Sequence, residues 1–261
     1  MSRAPAVFVS HGSPMMAIED GAWRRDLGAF GARIPRPRAV LVVSGHFESP
    51  GPVRVTASPS PPTIHDFGGF PEELYRIRYP AKGDPGLAAL TARLLEETGF
   101  PARTDPERGL DHGAWVPLRS LYPAADVPVI EVSQPLRRNP EDALRMGAAF
   151  SRLRDEGVLL LGTGGIVHNL RRLDPSKADG EAVSWAREFD SWIAERLAAM
   201  DVAGLASYRS TAPHADLAVP TPDHFDPIFV VLGSARSGER AVTIHASFEY
   251  GTLSLRSFAL G

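Results

Sequence analysis

Short runs of valine, leucine and isoleucine, each closing on small residues, constrain this chain more than any other feature. They recur at Ala6–Ser10, Ala39–Ser44, Val127–Ser133, Gly157–Gly162 and Ala241–Ser247, apolar at nearly every position. Strands of that kind are buried on both faces, as in parallel sheets covered by helices. The segments between them have helical character. Asp84-Pro85 precedes LAALTARLLEETG, which sets a capping side chain, a proline in the first turn and Gly99 at the stop. Asn139-Pro140 repeats the device before EDALRMGAAFSRLRDEG, and Gly180–Met200 spaces Trp185, Phe189, Trp192 and Ile193 for core packing. The pattern predicts an α/β fold, with a central mixed, mostly parallel sheet flanked by helices and an active site at the C-terminal ends of the strands. One domain over residues 1–261 is expected, since no composition shift, repeat or low-complexity segment divides the chain. Ser49–Gly83, rich in proline and glycine and without clear periodicity, is read as a functional loop.

Composition narrows the function. A net charge of -3 gives no basic footprint for nucleic acid, so a small-molecule partner is expected. No apolar stretch approaches the roughly 18 residues that span a bilayer, and no secretory leader is recognised at the N-terminus, so the expected location is cytoplasmic. The absence of cysteine excludes disulfides, thiolate nucleophiles and cysteine-ligated metals. Any metal must therefore be held by His, Asp or Glu.

Two of the apolar runs end in histidine: AVFVSHGSP delivers His11 and AVLVVSGHFES delivers His46. Two imidazoles leaving neighbouring strand ends point to a metal site, against the alternative of loop histidines bonded to backbone. His168 follows the glycines of LLLGTGGIVHNL, which permit positive φ or close approach to a ligand; a phosphate loop is excluded because its lysine is missing. His112 in GLDHGAWVPL is either oriented by Asp111 or exposed at a helix start that Asp111 caps. His224 in VPTPDHFDPIFVVLG, beside Asp223 and Asp226, is a candidate third ligand or an exposed residue. His65, His214 and His245 have weaker settings, and His245 reads as a solvated or satisfied strand residue.

In this order SHGSP, SGHFE, TIHDFGGFPEELYRIRYPA, LDHGAWVPL, LGTGGIVHNL and PTPDHF, followed by EYGTLSLRSF, resemble the class III extradiol ring-opening dioxygenases, LigB-like, in their DOPA-4,5-dioxygenase-like branch. The resemblance implies His11, His46 and His224 as metal ligands, His168 as the acid/base and His112 as a pocket residue beside the substrate. It also implies Fe(II) for activity, with Zn(II) as an ion that three imidazoles can equally hold, and a small aromatic diol and dioxygen as substrates. His65, Asp66, Phe67 and His214 are read as substrate contacts, and Glu48 as a carboxylate supporting His46. Two departures bear on the substrate: Val219 stands where many members carry histidine, and His65 where they often carry tyrosine. Two other readings use the same cleft, a zinc-dependent hydrolase and a non-enzymatic, Memo-like binding or redox protein. Oligomeric state and the particular catechol stay open.

Overall fold

The computed structural model describes residues 3–261. Its strands are β1 (Ala6–Ser10), β2 (Ala39–Ser49), β3 (Val53–Thr56), β4 (Ala102–Asp105), β5 (Val129–Pro135), β6 (Val158–Gly164), β7 (Ala241–His245), β8 (Phe248–Glu249), β9 (Leu253–Ser254) and β10 (Ser257–Leu260). Eight of them form one sheet in the order β4-β3-β5-β2-β6-β1-β10-β7, and β8 pairs with β9 in a separate hairpin. The centre, β5-β2-β6-β1, is parallel. On its flanks β3 and β10 run antiparallel to their inner neighbours. The α/β class and the mixed, mostly parallel sheet match the expectation.

The helices are α1 (Ala22–Arg33), α2 (Glu72–Arg76), α3 (Pro85–Glu97), α4 (His112–Leu121), α5 (Pro140–Asp155), α6 (Ser184–Ala199), three short ones, α7 (Val202–Ala206), α8 (Tyr208–Thr211) and α9 (Ala215–Ala218), and α10 (Pro227–Gly233). Successive strand residues face opposite sides, and the central strands bury both. Phe8, Leu41, Val43 and Leu160 join one apolar cluster with Leu95, Phe150, Phe189 and Phe229 from α3, α5, α6 and α10. Val7, Val40, Val42 and Leu161 join a second with Leu27 and Trp115 from α1 and α4. Each such side chain stabilises the fold by roughly 1.5–3 kcal/mol. Asp84 and Asn139 cap α3 and α5 as expected, accepting from the Leu87 and Asp142 amides, and Gly99 follows α3 with φ +85°.

The Ser49–Gly83 stretch is more ordered than its sequence suggests. It contains the end of β2's turn, all of β3 and the short α2, because the alternation in VRVT places Val53 and Val55 inside. The C-terminal strand β10 and the hairpin were also not legible as separate elements. Both are too short to show a period.

The hairpin turns through Tyr250 and Gly251, both at positive φ (+49° and +68°). It straps down the segment that follows His168, since the amides of Asp174, Gly180 and Val183 donate to the Tyr250, Phe248 and Gly251 carbonyls at 2.8, 2.8 and 2.9 Å. Behind the turn, Glu249 Oε2 is buried without a hydrogen-bond partner, and burial, then the charge of Glu19, raise its carboxyl to about 7. Folding therefore favours the protonated acid: this contribution is complete below the unfolded value of 4.5 and is lost as pH rises through 7. Glu249→Gln is expected to raise the melting temperature at pH 8 by about 2–4 °C, the effect of roughly 1 kcal/mol in a protein of this size, and to lose that advantage at pH 5. Calorimetry at both pH values checks it; an equal shift at each would mean that charge plays no part.

Candidate metal centre

Four segments converge where the parallel strands end. His11 lies one residue beyond β1, its amide held by the Gly164 carbonyl at 2.9 Å. His46 sits in β2 where pairing with β5 loses register between Val43 and Glu48, an irregularity that re-aims a side chain. His224 enters ahead of α10, and its backbone lies against the end of β6. The Gly165 amide donates to the His224 carbonyl at 2.9 Å, and a Cβ on Gly164 would stand 1.9 Å from that oxygen. The glycines of LGTGG thus make room for protein main chain rather than for a ligand, and Gly162, Gly164 and Gly165 do not adopt positive φ.

The imidazoles meet through their Nε2 atoms: His46 Nε2 is 3.0 Å from that of His11 and 3.1 Å from that of His224. Their other nitrogens are engaged. His11 Nδ1 donates to Thr163 Oγ1 at 2.8 Å, His224 Nδ1 donates to Asp223, and His46 Nδ1 faces Asp66 Oδ2 at 3.5 Å. Asp223, which can only accept, fixes the Nδ1–H tautomer of His224 and leaves its Nε2 lone pair toward His46, and Thr163 and Asp66 suit the same tautomer in His11 and His46. Burial, followed by the neighbouring imidazoles, pushes His11 well below the usual histidine range and His46 to about 3. The neutral ring is the form that binds metal. Two nitrogens at about 2.1 Å from one ion stand about 3.0 Å apart at a right angle and about 3.4 Å apart in a tetrahedron. The two separations from His46 fit pairs of ligands at right angles on one ion better than tetrahedral pairs. A second group, His46, Asp66 and His112, also has converging ligand atoms. Its Asp66 already accepts from the His112 amide at 3.0 Å and from His112 Nδ1 at 2.9 Å, so the three-histidine face is the freer donor set.

His168 stacks flat on His224, ring centroids 3.7 Å apart and planes 7° from parallel. Burial, then His224, lowers it to about 3, leaving it neutral. His112 opens α4. Asp111 caps that helix, accepting from the Ala114 amide at 3.2 Å, but His112 is buried rather than exposed. Asp66 grips it through both bonds; burial opposes ionisation, yet these bonds hold Asp66 well below the usual carboxylate range.

Other expected residues lie elsewhere. Glu48 is exposed and pairs with Arg138 at 2.7 Å: two residues from His46 it would share that face in a regular strand, but β2 loses its register with β5 between Val43 and Glu48, and Asp66 takes the place expected for Glu48 beside His46. His214, at the start of α9, points to Glu188 at 2.9 Å and does not reach the cavity. His65 donates to the Ile77 carbonyl at 3.1 Å and packs among Phe67, Tyr75 and Trp115, holding the loop rather than lining the site. Val219 is buried in the apolar core. His245 is satisfied, by Asp26 and Ser247 at 2.7 Å each.

Above the histidines opens a cavity of about 440 Å³, walled by Pro14, Phe67 and Phe70 and rimmed by Leu170, Leu173, Tyr250 and Leu253. The rim and Thr163 were not singled out from the sequence, and Asp223 was noted there without a role. Only Asp223 carried a signal, its adjacency to His224.

A family model described as the catalytic LigB subunit of aromatic ring-opening dioxygenase matches residues 5–258. The chain belongs to this family. It is a metal-dependent extradiol ring-cleaving dioxygenase, and the readings as a hydrolase or a non-enzymatic binding protein give way. It is similar to the 4,5-DOPA dioxygenase extradiol of Beta vulgaris, with 39% identity over 96% of this chain and 94% of that protein. The protein of the same name from Escherichia coli K12 is 38% identical over 100% and 96%. A crystal structure of an uncharacterized protein from Escherichia coli K12 superposes with a TM-score of 0.85 at 33% identity, over 99% of this chain and all of that one. Among the described residues no helix is long and apolar enough to cross a membrane.

Proposed function

We propose that the protein is a cytoplasmic, iron-dependent enzyme, a single catalytic domain, that opens the ring of a catechol beside its two hydroxyls. His11, His46 and His224 hold the metal, His168 moves protons and His112 positions the substrate oxygens. The observation that carries this reading is the convergence of three imidazoles, with His46 Nε2 standing 3.0 and 3.1 Å from the Nε2 atoms of His11 and His224. A metal held by these three residues would have room left for substrate oxygens and for dioxygen. When bound there, Fe(II) supplies the path by which the electron-rich diol reduces dioxygen, which Zn(II) cannot do.

The remaining chemistry belongs to the side chains. His168 is half-buried, neutral and at the cavity wall, so it is available to take the proton of an incoming hydroxyl. His112, its Nδ1–H committed to Asp66, turns Nε2 to the cavity as an acceptor for a substrate hydroxyl or, once protonated, a donor to a developing oxyanion. Phe67 and Phe70 give the ring an apolar wall that excludes water. Both oxygen atoms enter the product, a ring-opened semialdehyde acid.

Oxygen uptake by anaerobically iron-loaded protein tests the reading. With a panel of catechols at least one is expected to consume one dioxygen per ring and give a yellow product, while zinc-loaded protein consumes none. Hydrolysis without oxygen consumption, or no uptake with iron occupancy confirmed, would overturn it.

A further inference from the structure

The mouth of the cavity carries information about the part of the substrate that does not react. A cavity of about 440 Å³ has several times the volume a bare catechol ring needs, so the diol can occupy the histidine floor and leave room for a substituent. The surface that meets this substituent is the rim formed by Leu170, Leu173, Tyr250 and Leu253. Neither lysine nor arginine is among the described residues lining the cavity. Its one carboxylate, Asp66, is already bonded to His112. Arg171 and Arg172 follow Leu170 but are exposed and outside the lining.

Two features of the rim run against ordinary folding preference. Leu170 is 59% exposed, one of three large apolar side chains left so among the described residues, although the adjacent arginines would suit the surface better. Tyr250, with φ +49°, occupies the first central position of the β-turn Glu249–Thr252 within a three-residue hairpin loop, followed by Gly251 at +68°. Such turns favour Asn or Gly there, and a bulky residue in the left-handed region strains the backbone. The strain is held by the strap already described, in which the Asp174 and Val183 amides bond to the Tyr250 and Gly251 carbonyls. Segment and hairpin therefore form one unit, and it presents a tyrosine ring and three leucines to the same opening.

We infer that the rim selects catechols bearing an uncharged, apolar substituent over those bearing an amino-acid side chain, with Leu170 and Tyr250 as the specificity-determining residues. The inference rests on the catechol reading above. A zwitterionic substituent entering this rim would lose hydration with no partner to replace it, whereas an alkyl or aryl group would cover surface that is otherwise wet. The relatives named for DOPA set the comparison.

The test compares butylcatechol with dihydroxyphenylalanine, which carry their substituents at the same ring position. Binding to metal-loaded protein is measured anaerobically by titration calorimetry, and kcat/KM by oxygen uptake. The parent is expected to favour butylcatechol at least about tenfold in both, within the range that apolar pockets achieve. Leu170→Ser and Tyr250→Asn are each expected to reduce that ratio about threefold or more, Tyr250→Asn while raising the melting temperature because the turn relaxes. Equal or tighter binding of dihydroxyphenylalanine by the parent, or an unchanged ratio in both variants, would overturn the inference. Binding selectivity without oxygen uptake for any catechol would sustain it and overturn the catalytic reading instead.

Discussion

Replacing His224 with alanine is expected to strip the protein of metal while leaving it folded. After iron loading and desalting, elemental analysis should find retention reduced at least about 100-fold in affinity, more than the 10–100-fold typical of removing only a hydrogen-bond partner of a ligand. His46→Ala should behave alike. The choice of His224 is deliberate, because His46 belongs to both groups of converging ligand atoms and His224 to only one. If the ion sits on the three-histidine face, His224→Ala empties it; if it sits among His46, Asp66 and His112, His224→Ala keeps it and Asp66→Ala does not. Asp223→Asn serves as the graded case: it leaves Nε2 in place and loosens the ring that the carboxylate orients. A His224→Ala protein with full metal content would remove that residue from the ligand set.

His168→Ala should do the opposite, keeping its metal and losing turnover by roughly 100-fold or more, the scale of a general acid–base group. His168 stacks on the His224 ring rather than joining the converging nitrogens, so its removal takes away a proton carrier and not a ligand. Loss in kcat with substrate affinity nearly preserved is the expected signature, measured by oxygen uptake alongside anaerobic binding of the same catechol. Partial recovery by added imidazole would support a proton-transfer role. Activity equal to the parent would make the residue structural.

How legible was all this in the amino-acid sequence? The central strands were, because AVFVS, AVLVV and VLLLG are apolar on consecutive residues, and only burial on both faces accounts for that. Both capped helices were legible too, since Asp84-Pro85 and Asn139-Pro140 act on their own first turns. Glu48 and His214 show where local reading fails. Each is near a ligand along the chain, yet the break in β2's register leaves one outside, paired with Arg138, and the turn into α9 sends the other to Glu188. Asp66, twenty residues after His46, reaches it only because the loop folds over α4.

The sequence by itself determined the α/β scaffold and the histidines worth considering, because hydrophobic period, capping and residue chemistry are local properties. The tertiary structure decided which imidazoles meet nitrogen to nitrogen, which carboxylates fix their tautomers and what surrounds the open side. Those are distances between segments as far apart in the chain as His46 and His224, and between the Leu170 turn and the Tyr250 hairpin. Convergence of lone pairs and the polarity of a rim arise from packing, and no window of sequence contains them.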